Sequence, residues 1–287
     1  MTAATRWIAA YFLTSLSLLA GCASKPADRV PVSTSRHAVM TAAHLSPGVP
    51  PDSDAVRQQL RQATGIAADA VRAIDAARKV SVENISNADT IGFKACVPFF
   101  EDGGKIHLRR DLGDGSLDST GGNLDASIFG AGFFIVRIKK SDGSRITRYT
   151  RAGNFAVNAS GKLLLNQGNG YELDPPITLP PAATQITIDH DGSVRYVTAA
   201  SGVKSEAGQL KLAMFPSPDQ LSLVDGMFVE TEGSGPPLRT FPGEDGSGQI
   251  FSGFLEHSNV DVNKETARLR YLNEWRNALL LALGIHG

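Results

Sequence analysis

The chain has 287 residues, with 28 basic and 29 acidic side chains and a formal net charge of −1. Because basic and acidic side chains are nearly equal in number, there is no electrostatic reason to expect a nucleic-acid partner, which usually binds a strongly basic protein surface. A hydrophobic content of 42% is enough for a folded core, while 29 Gly and 15 Pro indicate many turns and a β-rich portion.

The first 21 residues predict a lipoprotein signal peptide. Arg6 precedes the apolar run WIAAYFLTSLSLLA, which is too short for comfortable bilayer spanning. LAGC follows and resembles a bacterial lipobox, in which the Cys is lipidated and becomes the new N-terminus. An ordinary signal peptide with a chance Cys is the alternative, but the fit of LAGCAS favours lipidation of Cys22. Ala23 after it favours a lipid anchor on the periplasmic side of the outer membrane.

Residues 22–51 predict a flexible tether, because they are rich in Pro, Ser and Ala and show no apolar periodicity. Residues 52–96 predict an N-terminal helix that ends in a turn-rich segment. Apolar residues in this helix are spaced alternately by four and three positions, as in the seam of a coiled coil. They are Val56, Leu60, Ala63, Ala67, Ala70, Ile74 and Ala77.

A second helix is predicted near the other end of the chain, over residues 263–283. Asp261 or Asn263 is the candidate N-cap. The apolar seam continues at spacings of three and four residues through Leu272, Trp275, Leu279 and Ala282. We therefore expect the terminal helices to pair as a coiled-coil layer, with each other or with copies of themselves.

The middle of the chain, residues 97–251, predicts an antiparallel β domain. Short apolar or alternating runs are separated by Gly, Pro and Asp, with hairpin turns expected at Asn158–Gly161 and around Asp191-Gly192. No alternation of strands and helices occurs, which disfavours a doubly wound nucleotide fold. The predicted fold class is mainly β, with this domain inserted between two terminal helices and with residues 252–287 forming the C-terminal motif and helix.

Residues for catalysis or ligand binding do not cluster in the sequence. The six His are scattered, and no metalloprotease or nucleophile-elbow motif is present. Asp111, Asp114 and Asp118 have the wrong spacing for a calcium loop and favour a turn. Cys96 has only the Cys of the lipobox as a possible partner, so we expect it to be a small buried residue. We therefore predict no catalytic, cofactor-binding or metal-binding residue, and an enzyme remains only as an alternative.

The segment NISNADTIGFKA resembles the signature that follows the N-terminal helix in flagellar rod and hook proteins. The matching positions are Asn84, Ile85, Asn87, Thr90, Gly92, Phe93 and Lys94, and Ser86 replaces the usual Ala. The stretch from 115 to 136 is similar to a second family motif. The assembly-motif positions predicted there are Leu124, Asp125, Gly130, Gly132, Phe133 and Phe134.

Two further segments resemble the same family: a hairpin motif over residues 149–173 and the stretch SGFLEHSNVDV over 252–262, with Asn259 and Val260. Four motifs in the right order across residues 52–287 make a specific match. On this resemblance the chain is identified as a member of the flagellar basal-body rod and hook family, of the distal-rod type because it has one β domain.

The resemblance implies a structural subunit of the basal body. Its partners would be other rod or hook subunits, or copies of itself in a helical assembly. The alternative is a lipid-anchored binding module that has the rod and hook fold but does not polymerise. For Asn84 and Asn87, helix capping and intersubunit contact stay equally open. Gly92 is expected to take φ > 0, because the chain must leave the helix sharply at this point.

Overall fold

A computed structural model describes residues 54–100, 106–167, 170–200 and 202–283. The predicted signal peptide, the lipidation site Cys22 and the tether lie outside the described residues. Contacts divide the described chain into two compact units. One comprises 54–79, the described part of 99–107, and 268–283; the other comprises 80–98 and the described part of 108–267.

Two α-helices are present, α1 (Asp54–Ser86) and α2 (Val262–Ala282). Helix α1 is rich in Ala and contains no Pro, which favours one continuous helix although Gly65 lowers the propensity locally. Asp261 is the N-cap of α2, because its Oδ1 accepts a hydrogen bond from Lys264 N at 3.0 Å. Of the two capping candidates, Asp261 has this role. Within the described ranges, no helix is both long and apolar enough to cross a membrane.

The expected pairing of the terminal helices is confirmed in the first unit. Ile74 and Ala77 of α1 are buried with Leu272 of α2, and Trp275 and Leu279 pack against them. Ala77 is fully buried, and a small side chain at this position lets the partner helix approach closely.

Polar contacts flank this apolar seam. Arg78 Nε donates to Asn273 Oδ1 at 2.5 Å, and Arg276 Nε donates to Asp75 Oδ1 at 2.7 Å. Because each contact joins one helix to the other, the polar pairs fix the register at which the apolar residues meet.

The strands are short. Their bounds are β1 (Cys96–Phe100), β2 (Ile106–Arg110), β3 (Leu117–Ser119), β4 (Ala126–Phe129), β5 (Phe133–Lys139), β6 (Arg145–Thr150), β7 (Phe155–Val157), β8 (Leu163–Leu165), β9 (Tyr171–Leu173), β10 (Ala183–Ile188), β11 (Ser193–Thr198), β12 (Lys204–Gln209), β13 (Leu212–Met214), β14 (Ser222–Val224), β15 (Met227–Val229), β16 (Leu238–Thr240), β17 (Gln249–Ser252) and β18 (Phe254–Glu256).

The largest sheet has the strand order β14-β15-β6-β5-β9-β8-β7, with β13 also against β5 and β16 against β13. A separate sheet has the order β10-β11-β12, and β4 pairs with β17 and β3 with β18. These pairings are antiparallel, as the sequence predicts. The two predicted hairpin turns join β7 to β8 and β10 to β11, with Gly161 at φ 79° and Gly192 at φ 83°.

Strand β5 separates two apolar cores, because successive residues of a strand point to opposite faces. Phe134 and Val136 are buried in the larger core, which also contains Leu163, Leu165 and Ile250. On the opposite face, Phe133 and Ile135 belong to a smaller aromatic core with Tyr149, Phe215 and Phe228. Phe133 and Phe134 are therefore both buried, each in a different core.

Candidate functional site

Helix α1 ends in a turn that Asn87 stabilises. Asn87 Nδ2 donates to Glu83 O at 2.8 Å, and Thr90 Oγ1 donates to Asn87 Oδ1 at 3.2 Å. The last carbonyls of a helix have no partner within it, so this bond satisfies one of them. Asn87 thus has the geometry of a helix cap.

Asn84 has a different role, and the capping interpretation is wrong for this residue. Its side chain is fully buried. Oδ1 accepts from Cys96 N at 2.9 Å, and Nδ2 donates to Cys96 O at 2.8 Å. The amide therefore pairs with the backbone at the start of β1, as a neighbouring strand would. Cys96 is buried, as the sequence predicts.

Gly92 takes φ 69°, which confirms the expected left-handed conformation. Its N–H donates to Glu256 O at 2.7 Å. A Cβ at this position would lie 2.3 Å from Ala152 N and 2.5 Å from Arg151 C. Only Gly lets the signature segment pass this close to the hairpin motif and the C-terminal motif.

A buried ion cluster lies next to Gly92. Lys94 Nζ donates to Glu256 Oε1 at 2.5 Å, and Arg151 Nε donates to Glu256 Oε2 at 2.9 Å. The side chains of Lys94 and Glu256 are 1% exposed and that of Arg151 is 3% exposed. Each of the three residues comes from a different motif, so the cluster joins the signature segment, the hairpin motif and the C-terminal motif.

Backbone carbonyls bind further donors of the two cations, and Asp114 Oδ1 lies 3.8 Å from Arg151. Lys94 Nζ also donates to Gly113 O at 2.7 Å. Arg151 donates to the carbonyl oxygens of Ile128, Gly130 and Gly132 at 2.8, 2.7 and 2.6 Å. Through these bonds the second family motif, residues 115–136, also joins the cluster. The guanidinium carbon of Arg151 lies 6.0 Å from the ring centre of Phe133, within range of a cation–π contact.

Burial and the neighbouring charges change the pKa values of Lys94 and Glu256. Burial lowers the pKa of the Lys94 ammonium, and the attraction of Glu256 offsets this only in part. Burial on its own would raise the pKa of the Glu256 carboxyl. The charges of Arg151 and Lys94, with hydrogen bonds from Lys94 and from Gly115 N, outweigh burial and hold that pKa below its usual value. Glu256 is therefore ionised at neutral pH.

Asn259 connects the C-terminal motif to two other segments. Its Oδ1 accepts from Ala95 N at 2.7 Å, and its Nδ2 donates to Asp111 O and Gly113 O at 2.8 and 2.9 Å. Val260, the next predicted motif position, is half-buried, and its N–H donates to Ser258 Oγ at 3.3 Å. Asn259 thus fixes the chain just before α2 begins.

The other predicted motif residues lie around the cluster without binding Glu256. Phe93 is 2% exposed. Leu124 borders the larger core. Asp125 Oδ2 accepts from Thr120 Oγ1 at 2.6 Å and so holds its own turn. Their positions are those of folding residues, and intersubunit contact by any of these positions stays a prediction.

The sequence analysis does not predict Arg151 and Glu256 as site residues, although both lie inside motif segments. The sequence signal for them is that the hairpin motif contains a single Arg and the C-terminal motif a single Glu, each among Gly, Phe and small residues. Lys94 and Glu256 are 162 positions apart, so their pairing is not visible as a local pattern. In the described ranges, no group of three or more His, Cys, Asp or Glu is arranged to hold a metal ion.

Residues 127–196 match the family pattern described as the flagellar hook protein FlgE/F/G D1 domain. The chain is 31% identical over 228 residues to the flagellar basal-body rod protein FlgG of Caulobacter vibrioides, covering 68% of this chain and 85% of that protein. It is 32% identical over 238 residues to the protein of the same name from Agrobacterium fabrum, covering 72% of this chain and 88% of that protein.

The FlgG rod protein of Buchnera aphidicola from Acyrthosiphon pisum is 35% identical over 156 residues. That alignment covers 54% of this chain and 58% of the relative. The chain therefore spans less than two thirds of the length of this relative.

We expect Gly92→Ala to destabilise the β-rich unit by more than the roughly 1–2 kcal/mol of a left-handed L-residue, because its Cβ also overlaps the backbone of Ala152. Urea unfolding followed by far-UV circular dichroism measures this. Gly143→Ala is the matched control, since it has φ 84° with no atom within 4 Å and should lose only the conformational part. Equal losses in both variants would contradict the close approach.

Glu256→Gln should lower the free energy of unfolding at pH 7 by about 3–5 kcal/mol, because it leaves the buried Lys94 without its carboxylate and Arg151 with only the exposed Asp114 at 3.8 Å. The folded-state pKa of Glu256 lies below its unfolded value, so its stabilisation is present above the unfolded pKa and is lost as pH falls through the folded pKa.

The gap between wild type and Glu256→Gln should therefore narrow in acid, which unfolding curves between pH 7 and pH 3 can measure. Glu172→Gln is the control, because its ion pairs with Arg145 and Lys162 are partly exposed and should contribute less than about 1 kcal/mol. A gap that stays constant with pH would show that Glu256 is not held as an anion.

Proposed function

The chain belongs to the flagellar basal-body rod and hook protein family, and on that premise we propose that it is a structural subunit of the basal-body rod. The observation that carries the proposal is the cluster of Lys94, Arg151 and Glu256, on which all four motif segments converge. The cluster makes one rigid body from segments that family members have in the same order.

The paired terminal helices support a role in assembly. The pair buries Ile74, Ala77 and Leu272. The same unit also exposes Ile66 and Leu281 at 53% and 62%. Apolar side chains left outside a two-helix seam are available to neighbouring helices in a larger helical layer. The partners we propose are other rod or hook subunits, or copies of this chain.

A membrane tether is the finer part of the proposal. Lipidation of Cys22 would hold the subunit at the periplasmic face of the outer membrane while residues 22–51 leave it free to reach the rod. Its support is the sequence LAGCAS after a basic residue and an apolar run. The division into signal peptide (1–21), tether (22–51), helix and signature (52–96), β domain (97–251) and C-terminal motif and helix (252–287) remains part of the same proposal.

Purified hook–basal bodies test the subunit role. The full-length tagged chain should copurify with them. Ala77→Glu should abolish copurification, because it places a charge in the fully buried helix seam. Lys79→Glu is the control, since Lys79 is exposed on the same helix and should copurify normally. Recovery of the wild type in membranes but never in basal bodies would favour the non-polymerising binding module.

Metabolic labelling with a fatty-acid analogue tests the tether. The wild-type chain should be labelled and Cys22→Ser should not, because only a thiol at this position accepts the lipid. Cys96→Ser is the matched control and should be labelled like the wild type, since Cys96 is buried. Equal labelling of wild type and Cys22→Ser would refute lipidation at Cys22.

A further inference from the structure

One face of the largest sheet changes from apolar to basic along the length of β5. On β5, Phe133, Ile135, Arg137 and Lys139 alternate with residues of the larger core and so share the opposite face. Phe133 and Ile135 are covered by the small aromatic core. Arg137 and Lys139, further along the same strand, continue that face beyond the core.

Neighbouring strands add basic residues beside these two. Directly opposite residues in a sheet share a face, and Lys139 is opposite Arg145 on β6, while Arg137 is opposite Glu172 on β9. Lys162, just before β8, forms an ion pair with Glu172. Arg239 of β16 forms an ion pair with Asp174, which also binds Arg137. We call Arg137, Lys139, Arg145, Lys162 and Arg239 the basic face.

The carboxylates of this face are already paired. Asp174 binds Arg137 and Arg239, both at 2.8 Å, and Glu172 binds Arg145 at 3.1 Å and Lys162 at 2.7 Å. Glu230 borders the face and accepts from Tyr149 Oη at 3.4 Å. Five basic side chains thus stand against three carboxylates. The arginines and Lys162 are 36–50% exposed, and Lys139 is exposed as well. The face therefore presents an excess of positive charge, held in fixed geometry by its ion pairs.

The same unit carries a surface of opposite charge. The sequence from 111 to 136 contains no Lys or Arg, although Arg109 and Arg110 directly precede it. Asp111, Asp114 and Asp118 lie in its first eight residues and are exposed, with the side chains of Asp114 and Asp118 at 66% and 68%. Asp118 lies 2.7 Å from His257 Nε2, and Asp114 lies 3.8 Å from the buried Arg151, so two of the three carboxylates also have a partner within the chain. We call residues 111–118 the acidic strip.

We propose that the basic face docks onto the acidic strip of a second copy of this chain. This contact rests on the proposed subunit function and names the surfaces it would use. The two surfaces differ, so the contact is heterologous, and each bound copy leaves one basic face and one acidic strip free for the next. Complementary charge sets the orientation of such a contact and disfavours like-to-like pairing.

The pattern of charge on the basic face fits a protein partner better than a nucleic acid or a membrane surface. A polyanion calls for a run of cations that neutralises many phosphates. Here carboxylates alternate with the cations and leave an excess of only two charges by the count above. Such an alternating pattern is matched by a surface with a few separated carboxylates, and the acidic strip is one.

Cross-linking in cells tests the contact with the full-length chain. Two tagged variants are coexpressed, one with Ser144→Cys beside the basic face and one with Ser116→Cys within the acidic strip; both serines are exposed. A flexible bismaleimide should join the two variants to each other and should join neither variant to itself. Ala200→Cys, exposed between β11 and β12, replaces Ser144→Cys as the control and should give little product. Equal yields with both partners would overturn the proposal.

Charge reversal then tests whether the contact is electrostatic. Lys139→Glu with Arg145→Glu should lower the yield by about tenfold or more, since like charges then meet. Adding Asp111→Lys with Asp118→Lys to the partner variant should restore the yield, and restoration also shows that both variants are folded. Loss without restoration, or an unchanged yield after the first reversal, would overturn the contact.

The cross-linking and copurification results together distinguish a failure of the docking contact from a failure of the proposed subunit function. If the charge-reversed chain still copurifies with basal bodies and the cross-link never depended on charge, the docking inference fails and the proposed function stands. If the wild type is absent from basal bodies, the proposed function fails whatever the cross-linking shows.

Discussion

The β-rich unit depends on one buried carboxylate that holds two cations. Glu256 binds Lys94 at 2.5 Å and Arg151 at 2.9 Å, all three side chains being almost completely excluded from water. Burying charge is costly, and the attraction between ions offsets that cost only when geometry and hydrogen bonding are good. Here four further donor bonds of the two cations end on backbone carbonyls, which offsets part of that cost.

This cluster fixes the relative positions of the chain segments that contribute to it. A hydrophobic contact tolerates small shifts, whereas two ion pairs and four carbonyl contacts define where each segment must lie. Gly92 allows the backbones to come close enough for the cluster to form, and Asn84 and Asn259 fix the chain on either side of it. The end of α1 and the start of α2 therefore both leave from segments that one cluster holds in place.

Charge appears in two physical roles in this protein. Inside, Lys94, Arg151 and Glu256 are desolvated; burial lowers the pKa of Lys94, while the charges of Arg151 and Lys94 outweigh burial and lower the pKa of Glu256. Outside, the basic face and the acidic strip remain in water, where ion pairs are weak individually and act mainly on orientation and on the rate of encounter. The proposed docking uses the second role, and the rigid body that presents both surfaces comes from the first.

The sequence by itself determined the fold class, the apolar seams of the terminal helices, the hairpin turns and the left-handed Gly92, whereas the structure decided that the two helices pair with each other rather than with copies of themselves. Each feature that the sequence determined follows from local chemistry: the spacing of apolar residues, the turn residues, and a position where the chain must leave a helix. Only the tertiary structure decided that Asn84 binds the backbone of Cys96 rather than capping its helix, and that Arg151 and Glu256 complete the site. Their partners lie 12, 105 and 162 positions away, and a single sequence has no periodicity that records contacts at such separations. Burial is what turns these ordinary polar residues into a site, and burial exists only once the strands have come together.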